Sequence, residues 1–142
     1  MLNLPILPIL ISIPLIGLIF ILLSSENDEF ALQSKRSALW TSISNFLLSL
    51  YLPLNFDKSI PHFQFVNSFG WFNSDNLKFS LGVDGLSMPF IVLSTFLILL
   101  CVIFLYPQKK KNMRMYLASF ILLESFLIGT FSSIDLFSFY IF

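Results

Sequence analysis

The hydrophobic positions of this chain fall in long unbroken blocks, separated by short polar clusters, rather than in the spaced stripes of a surface helix. About 20 consecutive apolar residues in helical form cross the roughly 30 Å of a bilayer's hydrocarbon. Leu4 to Leu23 carries no charge and fits one span. Pro5 and Pro8 suit its first turns, whereas the interior Pro14 removes a hydrogen bond and predicts a bend. A charged loop, Ser24 to Ser37, follows, and Ala38 to Leu54 reads as a second, shorter span. Asn55 to Ser80 is mixed and non-spanning. Its "HFQFV" and "LKFSL" alternate with period two around the turn-prone "NSDN", which allows two short strands in an extended loop between helices 2 and 3. Leu86 to Tyr106 is the clearest span, closed by Pro107 and "QKKKNMR". Met115 to Phe131 is a fourth, and Ser132, Ser133 and Asp135 are capping residues for a fifth helix begun over residues 135–142. The expectation is a single all-α integral membrane domain of four transmembrane helices plus the start of a fifth.

Composition agrees with the pattern. The chain is 56% hydrophobic and 11% charged, where a soluble domain spends about a quarter of its residues on charge. The formal net charge is zero and the charges sit between apolar blocks, which argues against nucleic acid as a partner and for membrane lipids. Cys101 is the one cysteine, so no internal disulfide forms. The opening "MLNLPILPIL" has neither a signal-peptide cleavage pattern nor the Arg-rich pattern of a transit peptide, so the first block is read as mature. Short loops rich in Lys and Arg stay on the cytoplasmic or matrix side. Lys109, Lys110, Lys111 and Arg114 place one loop there, Lys35 and Arg36 another, and both counts put the amino terminus and the mixed loop outside. Tyr51, Trp71, Tyr106, Tyr116 and Trp40 fall near span ends, as interfacial anchors do.

Polar residues inside the spans are the candidate chemistry. Thr41, Asn45 and Ser49 recur every four residues and line one face of span 2, as interhelical glue or as a hydrated path. Ser125 and Gly129 form a small-xxx-small packing pair on span 4. Glu124 lies near the middle of that span, where an ionised carboxylate costs several kcal/mol unless paired, hydrated or protonated. It is either a proton-path residue or a hydrogen-bonded carboxyl that fixes helix contacts. No Lys or Arg falls inside a span to pair with it.

The most distinctive motif is "FSLGVDGLSMPF". Gly82 and Gly85 permit tight backbone geometry, and Asp84 precedes a helix whose orphan N–H groups its carboxylate can accept. Ser87 can add a hydrogen bond, and Pro89 belongs in a first turn. This is a rigid helix entry. A metal site is not expected, since no second acid or His lies at ligand spacing, and His62 stands alone in a loop.

"FQFVNSFGWF", "FSLGVDGLSMPFIVLSTFLILLCV" and "YLASFILLESFLIGTFSSIDLFSFYIF" together resemble the antiporter-like subunits of respiratory complex I, the proton-pumping NADH:ubiquinone oxidoreductase, and within them the amino-terminal third of subunit 4. The resemblance runs from about His62 to Phe142, and spans 1 and 2 match by hydropathy alone. It implies about fourteen spans in the whole subunit, two inverted five-helix repeats, an amino terminus outside, and a place in the mitochondrial inner membrane beside other membrane-arm subunits. NADH, FMN, iron–sulfur clusters and ubiquinone are implied elsewhere in the complex and none in this chain. The family's proton site pairs a glutamate shortly after "FYIF" with a lysine on a later helix, so no catalytic residue transfers to a position here, and Glu124 is not that glutamate.

Residues Leu136 to Phe142 reach only about 10 Å as a helix, and a free carboxylate at that depth is strongly disfavoured. A second polypeptide completing subunit 4 is therefore expected. The other function classes compatible with the residues are a piece of a cation/proton antiporter assembly and a small membrane scaffold.

Overall fold

The computed structural model describes residues 5–23, 28–57, 62–70, 78–108 and 112–142. Trp71, Lys109, Lys110, Lys111 and the "NSDN" turn lie outside them, as does most of the "SSEND" stretch. The elements are α1 (Ile6–Leu23), α2 (Asp28–Ser49), α3 (Tyr51–Asn55), β1 (Gln64–Gly70), β2 (Lys78–Val83), α4 (Ser87–Leu105), α5 (Met113–Ser132) and α6 (Leu136–Ile141). Three of the helices, α1, α4 and α5, are long and apolar enough to cross a membrane. The protein is a helical, multi-pass membrane chain on this ground.

Four helices make a bundle in which α1 packs on α2 and α5, α4 packs on α2 and α5, and α2 also meets α5 across the diagonal. Two apolar clusters fill it. One, at the end where the hairpin sits, gathers Leu7, Leu10 and Ile11 of α1, Leu52, Leu81 and Val83, Ile91 of α4 and Ile128 of α5. The other gathers Ile21 of α1, Ala38 of α2, Ile98, Val102 and Leu105 of α4 and Leu117 and Ile121 of α5. Lys35 reaches over the second end, its Nζ donating to the carbonyls of Tyr106 at 2.9 Å and Gln108 at 2.6 Å. Arg114 donates to the Leu22 carbonyl at the same end. The outer surface stays apolar: Ile16, Phe20, Leu97, Phe104, Met115 and Leu123 are all exposed.

The second helix departs from the sequence reading. It begins at Asp28, ten residues before the expected start of span 2, so most of the expected charged loop is helical. Ala31, Leu32 and Gln33 are good helix formers, and Lys35 gains the two carbonyls just named. Near its far end the helix breaks at Leu50 and resumes as α3, within the stretch expected to be continuous to Leu54. Pro53 accounts for the break, because its ring excludes the bond to the Ser49 carbonyl and crowds it. By contrast Pro14 lies inside an uninterrupted α1.

β1 and β2 pair antiparallel with Gln64 opposite Val83 and Phe69 opposite Phe79, and the register slips between Gln64 and Asn67. Phe65 takes φ 56 there, and Asn67 Nδ2 donates to its carbonyl. The chain leaving α5 then joins the free edge of β2: Ser133 bridges Leu81, and Ile134 N–H donates to Ser80 O at 3.1 Å. Asp135 stands at the N-cap of α6, its carbonyl accepting the Phe139 N–H at 3.0 Å, but its side chain makes no capping bond.

Candidate functional site

Between the two apolar clusters, α2, α4 and α5 turn polar, and α1 offers a turn with little side chain. On α5 the interruption is Glu124 and Ser125, between Ile121 and Ile128. On α4 it is Ser94 and Thr95, between Ile91 and Ile98, and on α2 it is the Thr41, Ser42, Asn45, Ser49 face. On α1 it is the turn holding Pro14 and Gly17.

The α2 face touches a different neighbour at each step. Thr41, whose hydroxyl donates to Ser37 O at 2.7 Å, packs against Gly17 of α1 so closely that a Cβ at Gly17 would collide with its side chain. Asn45 reaches across the diagonal, Nδ2 donating to Glu124 Oε1 at 2.8 Å. Ser49 meets Thr95 of α4 with 2.9 Å between hydroxyl oxygens. Ser125 completes the circuit, donating to the Ile11 carbonyl of α1 at 3.1 Å. Asn45, Ser49, Thr95, Glu124 and Ser125 are all buried. Three helix contacts in the bundle's middle, α2 with α5, α2 with α4 and α1 with α5, thus have a polar clasp as well as apolar packing, and α1 meets α2 by the close approach at Gly17. Glu124 sits twelfth of the twenty residues of α5, roughly 16 Å from its start.

Among the expected site residues, Gly129 is buried against the Phe142 ring, which occupies the space a side chain would need. Thr95 and Ser94 were missed in the sequence. The signal was present as a lone "ST" inside the α4 apolar block.

The helix-entry motif lies apart, at the hairpin end. Ser87 N–H and Ser87 Oγ both donate to Asp84 Oδ1, the former at 2.7 Å, and Asp84 N–H donates back to Ser87 Oγ at 3.1 Å. Met88 N–H meets Asp84 O at 3.1 Å, so Asp84 works as the N-cap of a reciprocal capping box one turn ahead of the regular helix. The bonds from Ser87, its hydroxyl above all and then its N–H, hold the Asp84 carboxyl below the ordinary aspartate range. Pro89 lies exposed in the first turn. The glycines differ from expectation: neither takes a positive φ. At Gly82 the tip of Ile134, its Cδ1, comes within 2.6 Å of where a Cβ would stand and would have to move to admit one. At Gly85 a Cβ would meet only the Phe56 ring at 3.9 Å, an ordinary contact, and nothing in the structure requires glycine there. His62, Tyr51, Tyr106, Tyr116 and Trp40 are exposed.

The chain matches no protein-family model. It is 40% identical over 145 residues to NADH-quinone oxidoreductase subunit M of Rickettsia conorii, an alignment covering 100% of this chain and 29% of that protein. It is 40% identical over 130 residues to NADH-ubiquinone oxidoreductase chain 4 of Chondrus crispus, covering 91% of this chain and 26% of that protein. The corresponding protein of Marchantia polymorpha is 35% identical over 133 residues, with 94% and 26% covered. The chain spans less than a third of the length of these curated relatives, and corresponds to their amino-terminal part.

Proposed function

We propose, from the premise that the chain is homologous along its length to the amino-terminal part of subunit 4, or M, of the NADH:quinone oxidoreductases, that it is a noncatalytic piece of the membrane arm of respiratory complex I. It contributes peripheral helices and the first helices of the proton-translocating repeat to proton transport coupled to NADH:ubiquinone oxidoreduction. The observation that carries this reading is the 40% identity sustained over the whole chain.

In this reading α2 crosses the membrane as a fourth helix beside α1, α4 and α5. What supports it is the buried polar face through which α2 clasps three neighbours that are themselves long and apolar enough to span. The amino terminus faces the intermembrane space of the mitochondrial inner membrane. Support for that comes from Lys35 and Arg114 lying at the opposite end of the bundle. Sequence beyond these residues supplies the remaining helices, which cover the exposed apolar sides of α4 and α5 and the largely exposed α6. Glu124 is the proton-path residue of the bundle, clasped by Asn45 in the one polar layer. The Gly82, Asp84, Ser87 and Pro89 motif fixes the entry of α4. Cofactors belong to other subunits, and lipids and membrane-arm subunits are the partners.

The test is affinity purification of the tagged chain from gently solubilised membranes. Recovery with flavin- and iron–sulfur-containing subunits and NADH:ubiquinone reductase activity is expected. A chain that purifies as a separate small particle, in membranes whose complex I is intact without it, overturns the reading.

A further inference from the structure

Two buried polar atoms in the middle of the bundle have no hydrogen-bond partner among the described residues: Asn45 Oδ1 and Glu124 Oε2. They belong to the same pair of groups, whose other atoms, Asn45 Nδ2 and Glu124 Oε1, are hydrogen-bonded at 2.8 Å. Both side chains are fully buried. Buried polar groups are almost always paired, because an orphan keeps its desolvation penalty with nothing to offset it. Here both orphans are oxygens, and an amide oxygen can only accept. A carboxyl oxygen that bears a hydrogen is a donor. One hydrogen on Oε2 therefore satisfies both atoms.

The charges around the pair point the same way. On α2, Lys35 and Arg36 lie ten and nine positions from Asn45, about 14 Å along the axis, and Lys35 is engaged by the carbonyls of Tyr106 and Gln108. On α5, Arg114 lies ten positions from Glu124, about 15 Å away, and donates to the Leu22 carbonyl. α1 contains no ionisable side chain, and α4 contains only Cys101. No cation on the four helices stands within a turn of Glu124 to balance a carboxylate.

We propose that Asn45 and Glu124 form a buried carboxylic acid–amide pair: Asn45 Nδ2 donates to Oε1 while Glu124 donates through Oε2 to Asn45 Oδ1. Asn45 is then the positioning residue that fixes the carboxyl proton of the polar layer, a role beyond helix packing. Its use in transport rests on the proton-path reading given above, whereas the pair itself does not.

Infrared spectroscopy of the purified complex in light and heavy water tests this directly. Glu124→Gln should remove a carboxylic-acid carbonyl band that shifts on deuteration. Asn45→Leu should move that band to the position of a weakly hydrogen-bonded acid, and the exchanged pair Asn45→Asp with Glu124→Gln should restore a strongly bonded one. The pair is overturned if Glu124→Gln removes only carboxylate bands, or if Asn45→Leu leaves the acid band in place. If Asn45→Leu does not assemble, the exchanged pair and Glu124→Gln decide alone, because each keeps an amide and a near-isosteric partner. Proton pumping measured on the same samples separates the two claims: normal pumping in Glu124→Gln with the acid band lost sinks the transport reading and leaves the pair standing.

Discussion

Asp84 gives the sharpest quantitative prediction. Its carboxylate accepts both the N–H and the hydroxyl of Ser87, while Ser87 Oγ accepts the Asp84 backbone N–H, so Asp84→Ala removes two side-chain hydrogen bonds at the start of α4. Loss of an N-cap side chain costs about 1 kcal/mol. Because 1.4 kcal/mol is a factor of ten, local opening of the first turn should become roughly fivefold more frequent. Hydrogen–deuterium exchange of the peptide spanning residues 84–92 in the purified complex reads this, since exchange there follows the local opening free energy. Asp84→Asn keeps an acceptor and should raise exchange less than twofold. Lowering the pH supplies an independent arm. The folded-state pKa of Asp84 is depressed, so its contribution is complete above the unfolded value of about 3.9 and is lost as pH falls through the lower folded value. Protection in the wild type should therefore hold at pH 5 and approach that of Asp84→Ala only below about pH 4. Unchanged protection in Asp84→Ala would refute the capping argument, and equal loss in Asp84→Asn would show that charge rather than acceptor geometry matters.

Three further perturbations probe the bundle. Gly17→Ala should overpack the α1–α2 contact at Thr41, costing about 1–3 kcal/mol and speeding exchange along α1, and Thr41→Ala in the same chain should relieve it. A double-mutant cycle with Ser49→Ala and Thr95→Val should give a coupling energy near 0.6 kcal/mol, at most about 1.7, in detergent unfolding of the complex. Gly82→Val should displace Ile134 and expose its N–H, now bonded to Ser80 O, to exchange, whereas Gly85→Ala should leave exchange there unchanged.

Hydropathy made α1, α4 and α5 legible because lipid imposes a requirement on every residue of a span, and such a requirement is written in consecutive letters. Apart from the break at Leu50, which Pro53 sets locally, the places where reading the letters fell short have a deciding partner distant in sequence. Asp28 to Ser37 looked like a loop because its charges forbid a span, but nothing forbids a helix that runs past the membrane, and Lys35 finds its carbonyls 71 and 73 residues away. Gly82 and Gly85 look alike as letters. Only the arrival of Ile134 from beyond α5 crowds one of them. The Thr41, Asn45, Ser49 face was visible as a four-residue period, yet the period could not say that each step addresses a different helix. That fan of contacts explains why a single polar layer suffices to register four helices whose apolar surfaces would otherwise slide with little penalty. An apolar stripe specifies that two helices meet, and the polar clasps at Glu124, Thr95 and Ile11, with the close approach at Gly17, specify at what height. The same layer contains the chain's one mid-span carboxyl, so any movement of a proton at Glu124 acts on the bond that sets the height of α2 against α5.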